Sequence, residues 1–257
     1  MLIDLRSDTV TRPTSSMKEA MGRAELGDDV FGDDPTVTRL EELAAGMLGK
    51  EAGMFVPSGT QSNLCALLTH CGRGDEYLVG QTAHAYLFEG GGGAVFGSIQ
   101  PQPLEQEADG TLDFEKLAAL VKPDDFHYVR SRLLCLENTT WGKVLPMEYL
   151  EAVRPFAEKH GLSLHLDGAR IFNAAVASGV PPSKVAAPFD SVSLCLSKGL
   201  GAPVGSVLVA SEDFIKEGKR SRKMLGGGMR QSGLLAAAGI HALENHVERL
   251  AEDHANA

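Results

Sequence analysis

Apolar residues recur along this chain in two rhythms. In DPTVTRLEELAAGMLGK (34–50), Val37, Leu40, Leu43, Ala44, Met47 and Leu48 share one helical face, which predicts a helix with one buried side. AGMFV (52–56) is a short apolar run that predicts a buried strand. TQSNLCALLTHC (60–71) returns to the helical rhythm behind the capping residues Ser58 and Thr60. EYLVG (76–80), RLLCLEN (132–138), LSLHLDGA (162–169), SVSLCLS (191–197) and GSVLVAS (205–211) read as further strands, and MEYLEAVRPFAEKHG (147–161) as a helix. Buried strands separated by helices of this length predict an α/β fold, a mostly parallel sheet covered on both faces. Ligands of such sheets sit on loops at the carboxyl ends of the strands. Ser58, Glu137, Asp167 and Lys198 all fall at that end.

Composition narrows the class. The chain has 257 residues, 43% hydrophobic and 23% charged, enough for one large α/β domain with little room for a second. A net charge of -10 leaves no basic stripe for phosphate backbones, so nucleic acid is not expected as a partner. The densest cationic run, KEGKRSRK (216–223), predicts a solvated helix face. No segment nears the ~20 apolar residues of a membrane span. MLIDLRSDTVTRP lacks the apolar core of a signal peptide. Cys65, Cys71, Cys135 and Cys195 show no metal-binding spacing and read as reduced thiols of a cytoplasmic protein; no metal site is expected.

Three stretches carry candidate chemistry. VPSGTQSN (56–63) ends a strand and opens a helix, whose first amides have no intrahelical acceptor and suit either a phosphate or a plain cap by Ser58 or Thr60. LSLHLDGAR (162–170) ends a strand on Asp167, fit to cap the next turn or to hold a pyridinium nitrogen. Arg170 offers a fork to a carboxylate, that of a substrate or that of Asp167 itself. SKGLGAP (197–203) sets Lys198 between two apolar runs, where burial beside other cations frees a lysine amine as a nucleophile. A phosphate loop, an aspartate and a lysine, in that order on one sheet, are what pyridoxal 5'-phosphate requires.

IDLRSDTVTRPT, GDDVFGDDPTVTRLE, VPSGTQSN, HLDGARIFNA, SLCLSKGLGAPVGS and GGGMRQSG together resemble the low-specificity L-threonine aldolases, fold-type I pyridoxal phosphate enzymes. The resemblance implies a transferase-like large domain with a seven-stranded, mostly parallel sheet and helices on both faces. It divides the chain into an N-terminal arm (1–14), the cofactor-binding domain (15–240) and a helix (241–257) leading to a small C-terminal domain that the sequence does not include. In the family that domain adds a second arginine to the substrate carboxylate. By the same resemblance, Lys198 holds the cofactor, Asp167 pairs with its ring nitrogen, and Ser58, Gly59 and Thr60 cradle its phosphate. Lys223 and Arg230 support the phosphate or a neighbouring subunit's site. His84 stacks on the ring. Arg170 and Ser7 bind the substrate carboxylate, and His127 lies near the substrate hydroxyl.

The implied reaction is retro-aldol cleavage of L-threonine, L-allo-threonine and related L-β-hydroxy-α-amino acids to glycine and an aldehyde. His84 and His127 are its two candidate bases, and the implied assembly is a homotetramer, a dimer of dimers. Phe31 stands where the family usually has tyrosine, and Thr140 and Trp141 alter the ENTHNGKV pattern to ENTTWGKV. Other readings stay open: another fold-type I lyase, whether β-eliminating or a phenylserine-type aldolase, or a cofactor-binding but catalytically silent chain. EGGGGAVFG (89–97) reads as a close approach at a subunit interface or as a flexible loop.

Overall fold

The computed structural model describes residues 4–257, so the first three residues of the N-terminal arm lie outside the described residues. Strands β1 (Ala52–Val56), β2 (Asp75–Gly80), β3 (Gln100–Leu104), β4 (Arg130–Glu137), β5 (Ser163–Asp167), β6 (Ser191–Cys195) and β7 (Ser206–Ala210) form one sheet in the order β1-β7-β6-β5-β4-β2-β3. β3, β2, β4, β5 and β6 are parallel. β7 is antiparallel to both its neighbours, so β1 runs with the parallel set and β7 alone is reversed. The carboxyl ends of six strands therefore open on one edge of the molecule.

β3 escaped the sequence pattern because it reads QPQPL. Pro101 and Pro103 lack an N–H for a ladder, which confines such a strand to the sheet edge, where β3 lies.

The period-two alternation of the strands separates two chemistries. Leu134 and Leu136 of β4, Leu164 and Leu166 of β5, Val192 and Leu194 of β6, and Val207 and Val209 of β7 enter one large apolar core. Helices Pro35–Leu48, Met147–His160, Ile171–Ser178 and Gly233–Asn245 cover that face. Each fully buried leucine there contributes roughly 1.5–3 kcal/mol. On the predicted helix face at 37–48, Val37, Leu40, Ala44 and Leu48 are buried and Leu43 and Met47 half-buried; the helix is started by Asp34, whose carboxylate accepts from the Thr36 and Val37 amides. Helices Gly59–His70 and Glu212–Met224 cover the opposite face, where β5 and β6 present His165, Asp167, Ser191 and Ser193. His165 bonds Ser191, and His165 and Asp167 both bond Asn63 of the covering helix, while Ser193 Oγ is buried without a partner among the described residues.

Two expectations shift. The 216–223 run is not wholly solvated: Arg222 is buried, donating to Phe55 O at 2.7 Å and pairing with Asp29 at 3.1 Å. The 240/241 boundary falls inside helix Gly233–Asn245, whose alanines pack into the large core. No described helix is long and apolar enough to cross a membrane. All four cysteines are buried and unpaired.

Candidate active site

Ser58 caps the helix Gly59–His70, its hydroxyl accepting from Gln61 N at 3.2 Å. A Cβ on Gly59 would lie 2.7 Å from Cys195 Sγ, so only glycine lets the helix start dock against the end of β6. This contact sets the start of the helix against Cys195, three residues before Lys198. The turn at 225–230 packs on the same helix start, with Gln61 Nε2 donating to Leu225 O at 3.4 Å.

Asp167 is the buried last residue of β5. Its carboxylate accepts from Asn63 Nδ2 at 2.7 Å and from Ala169 N at 3.1 Å, one bond to each oxygen. Asn63 gives its other N–H to Glu89 at 2.8 Å, and Glu89 in turn bonds His84 Nδ1 at 2.8 Å. Ligand atoms of His84, Glu89 and Asp167 lie within 4.8 Å of one another. Glu137, opposite Asp167 in the ladder, accepts from the His84 amide at 2.7 Å.

The charge on this cluster is poorly compensated. Burial, and then the nearby Asp167, push Glu137 up to about 7. Burial likewise raises Glu89, and the hydrogen bond to the Glu89 carboxylate raises His84.

Lys198 sits at the carboxyl end of β6, half-buried, in a narrow cleft lined also by Ala169, Arg170 and Cys195. Its charge acts on His84, Glu137 and Cys195, as does that of Asp167. The N-terminal arm closes over it: Thr11 Oγ1 donates to Lys198 O at 2.8 Å. In the same arm Asp8 takes Arg170 side-on, Nε at 2.8 Å and Nη2 at 2.6 Å. The partner of Arg170 is therefore Asp8, not Asp167. Burial raises Asp8, the guanidinium and Lys198 lower it, and the net shift is downward. Ser7 is exposed beside this pair, accepting from Thr9 N at 3.2 Å as the cap of the Asp8–Val10 turn.

Other expected residues lie apart. His127 is 67% exposed on the loop before β4, bonded to Asp125 at 2.7 Å, at the opposite end of that strand from Glu137. Within one protomer it is not brought to the cluster. Arg230 is exposed and tied to Asp28, and Lys223 is exposed at the end of its helix. Phe31 is exposed. Trp141 donates its indole N–H to Thr82 O at 3.2 Å and meets Phe88 edge-on, so the altered loop braces the segment bearing His84. Gly92 and Gly93 sit in a short helix against Leu64 and Leu67 of the same chain, so the close approach in the glycine-rich run is internal. Asn63, Glu89 and Asp8 were not singled out from sequence. The only trace of Asn63 was its position one turn inside the helix Gly59–His70.

The Beta-eliminating lyase family matches residues 4–257. The chain is 62% identical over 256 residues to the low specificity L-threonine aldolase of Escherichia coli K12, covering 100% of this chain and 77% of that protein. It is 51% identical over 261 residues to the probable low-specificity L-threonine aldolase 2 of Arabidopsis thaliana, covering 99% of this chain and 74% of that one. A solved threonine aldolase of Leishmania major superposes with a TM-score of 0.82 at 22% identity, covering 95% of this chain and 73% of that one, a likeness of fold. The architecture is the fold-type I large domain expected from the sequence. With residues 4–257 matched and such identities, the chain belongs to the Beta-eliminating lyase family, among the low-specificity L-threonine aldolases.

Proposed function

We propose that this chain uses pyridoxal 5'-phosphate to cleave L-threonine, L-allo-threonine and related L-β-hydroxy-α-amino acids to glycine and an aldehyde. One observation carries the reading. Glu89, Asp167 and Glu137 meet at the carboxyl end of the sheet with no arginine or lysine paired to them among the described residues. A lysine and a helix N-terminus open beside them.

The donor set suits the cofactor. Each Asp167 oxygen accepts one hydrogen bond and keeps a lone pair for a ring N–H. Ser58 and the amides of Gly59 and Thr60 suit the phosphate, with Lys223 at the end of helix Glu212–Met224 and Arg230 on the turn that follows supplying positive charge to it or to a neighbouring protomer's site. Lys198 would hold the aldehyde carbon, with His84 against the ring. When bound, the pyridinium ring takes up the electron pair released as the Cα–Cβ bond breaks.

The chain's own residues do the rest. Asp8 engages Arg170 side-on, which leaves Nη1 and the second Nη2 hydrogen to fork a substrate carboxylate, joined by the Ser7 hydroxyl. Fixing the carboxylate selects the Cα bond that breaks. His84 Nδ1 is bonded to Glu89, so Nε2 is left to take the β-hydroxyl proton. His127 would serve only from another protomer. Exposed Leu87, Phe88, Val95, Phe96 and Trp141 support self-association, read as a homotetramer, and four unpaired thiols support a cytoplasmic setting.

Incubation with cofactor and L-threonine tests the activity. Equal amounts of glycine and acetaldehyde are expected. A 2-oxo acid with ammonia would assign β-elimination instead, and a cofactor trapped by borohydride without turnover would mark a silent binder. Light scattering tests the assembly.

A further inference from the structure

Beneath Asp167 runs a line of polar groups, His165 and Ser191 buried and His70 half-buried, that the mechanism above does not use. His165 lies two residues before Asp167 on β5 and faces the same side of the sheet, fully buried. Its Nε2 is 3.2 Å from Asn63 Oδ1, and its Nδ1 is 2.8 Å from Ser191 Oγ. Ser191 Oγ is also 2.7 Å from His70 Nε2. We infer that His70, Ser191 and His165 form a one-way hydrogen-bond chain that aims the Asn63 amide at Asp167 and Glu89, making His165 a positioning residue for the reaction.

The direction of each link follows from the one before. Both N–H groups of Asn63 are committed to carboxylates, so its oxygen can only accept, and His165 Nε2 must donate to it. Burial lowers His165 to about 3, with His70 adding to the effect and the Ser191 backbone opposing it, so the ring carries a single proton at neutral pH. Nδ1 is then bare and accepts the Ser191 hydroxyl proton. Ser191 has one proton and has given it, so its oxygen accepts from His70 Nε2–H. Burial likewise lowers His70, to about 4, keeping it neutral against the opposing pull of Asp190.

The chain ends on the two groups that hold opposite sides of the proposed chemistry. One Asn63 hydrogen fixes Asp167, which faces the ring nitrogen; the other fixes Glu89, which orients His84. Without the His165 donor the Asn63 amide is free to rotate and present its oxygen to the carboxylates. This inference rests on the role given to Asp167 above.

Long-range proton–nitrogen spectra of the full holoenzyme, labelled with 15N-histidine, test the chain directly. His165 and His70 are each expected as the Nε2–H tautomer, unchanged from pH 5.5 to 9. An Nδ1–H or a titrating His165 overturns the inference. In kinetics, His165→Phe is expected to lower kcat about tenfold or more, as loss of an orienting partner does at other sites, with KM within about twofold. His165→Gln, which can present an amide N–H to Asn63, is expected to recover part of that loss. A folded His165→Phe enzyme with kcat within about twofold of the parent also overturns it. Should that variant not fold, Ser191→Ala removes one hydroxyl only; a kcat loss of about threefold supports the chain, and a kcat equal to the parent's overturns it. Asp167→Asn separates the two ideas. If it keeps near-parent turnover, the role of Asp167 fails whatever the tautomers. If it is inactive while His165→Phe is unimpaired, only the chain fails.

Discussion

At the amino ends of β2 and β4, Asp75 lies 3.2 Å from Arg130 Nε, while fully buried Glu76 lies 3.5 Å from Lys122 Nζ and accepts from Ser131 Oγ at 2.6 Å. Just before β6, Asp190 pairs with Arg154 at 2.8 Å. At the carboxyl end of the sheet, Glu137, Asp167 and Glu89 have amides and one histidine for partners. The first end neutralises its own charge as the chain folds. The second leaves negative charge that a cationic ligand can neutralise, a cost to the apoprotein that is recovered on binding.

If that contrast is functional, removing charge at the carboxyl end strikes activity hardest. Asp167→Asn sets an amide against two donors, Asn63 Nδ2 and Ala169 N. Breaking a buried charge interaction costs about 3–5 kcal/mol, and ~1.4 kcal/mol of barrier is tenfold in rate. Turnover of L-threonine is expected to fall by roughly two to three orders of magnitude in a protein whose circular dichroism is unchanged. Turnover within about tenfold of the parent would remove the assignment.

The amino end answers in stability instead. Glu76→Gln strands Lys122 beside a neutral group and is expected to destabilise by about 3 kcal/mol in urea unfolding, with kcat unaltered. An equal loss of kcat would erase the distinction between the two ends.

Glu137→Gln should reverse the sign. The folded pKa of Glu137, about 7, exceeds its ordinary 4.5, so between those values the folded state holds the extra proton and stability falls as pH rises. At pH 8 the ionised parent carries that penalty in full, and partial exposure reduces it to about 1–2 kcal/mol. The variant is therefore expected to be more stable than the parent by that amount at pH 8, with the gap closing towards pH 5. His165 and His70, with lowered pKa values, destabilise both proteins as pH falls below 6.5, and the difference between the proteins cancels them. A variant less stable than the parent at pH 8 would show that Glu137 is already compensated.

The sequence made part of this contrast legible. Strand-end positions for Glu137 and Asp167 followed from short runs rich in buried apolar residues, which mark where each strand stops. LSLHLDGA even displayed the alternation that sets His165 and Asp167 on one face. What pattern could not supply was partnership. Asn63 is one polar residue in an amphipathic helix, and its two carboxylates lie 26 and 104 residues away. Asp8 meets Arg170 across 162 residues, so the fork expected for a substrate, or for Asp167, gave no hint of a third carboxylate. β3 was lost because proline is read as a strand breaker except at an edge, and edges are a property of the assembled sheet.

The mildest prediction concerns that third carboxylate, which either blocks Arg170 or aims it. Asp8 takes Nε and Nη2, the side of the guanidinium, and both partners are about a third exposed, at 29% and 31%. Its pKa is lowered, so it is ionised above the ordinary carboxylate range and the pair persists at any neutral assay pH. Partial exposure limits the interaction to about 1 kcal/mol. If Asp8 aims the arginine, Asp8→Asn leaves a weaker side-on partner and a less fixed fork, and KM for L-threonine rises about fivefold with kcat within about twofold. If Asp8 competes with the substrate for the same donors, its neutralisation lowers KM. Steady-state kinetics of this one variant therefore decide whether the N-terminal arm completes the carboxylate site or guards it, and the side-on geometry, which leaves the far edge of the guanidinium open, selects completion.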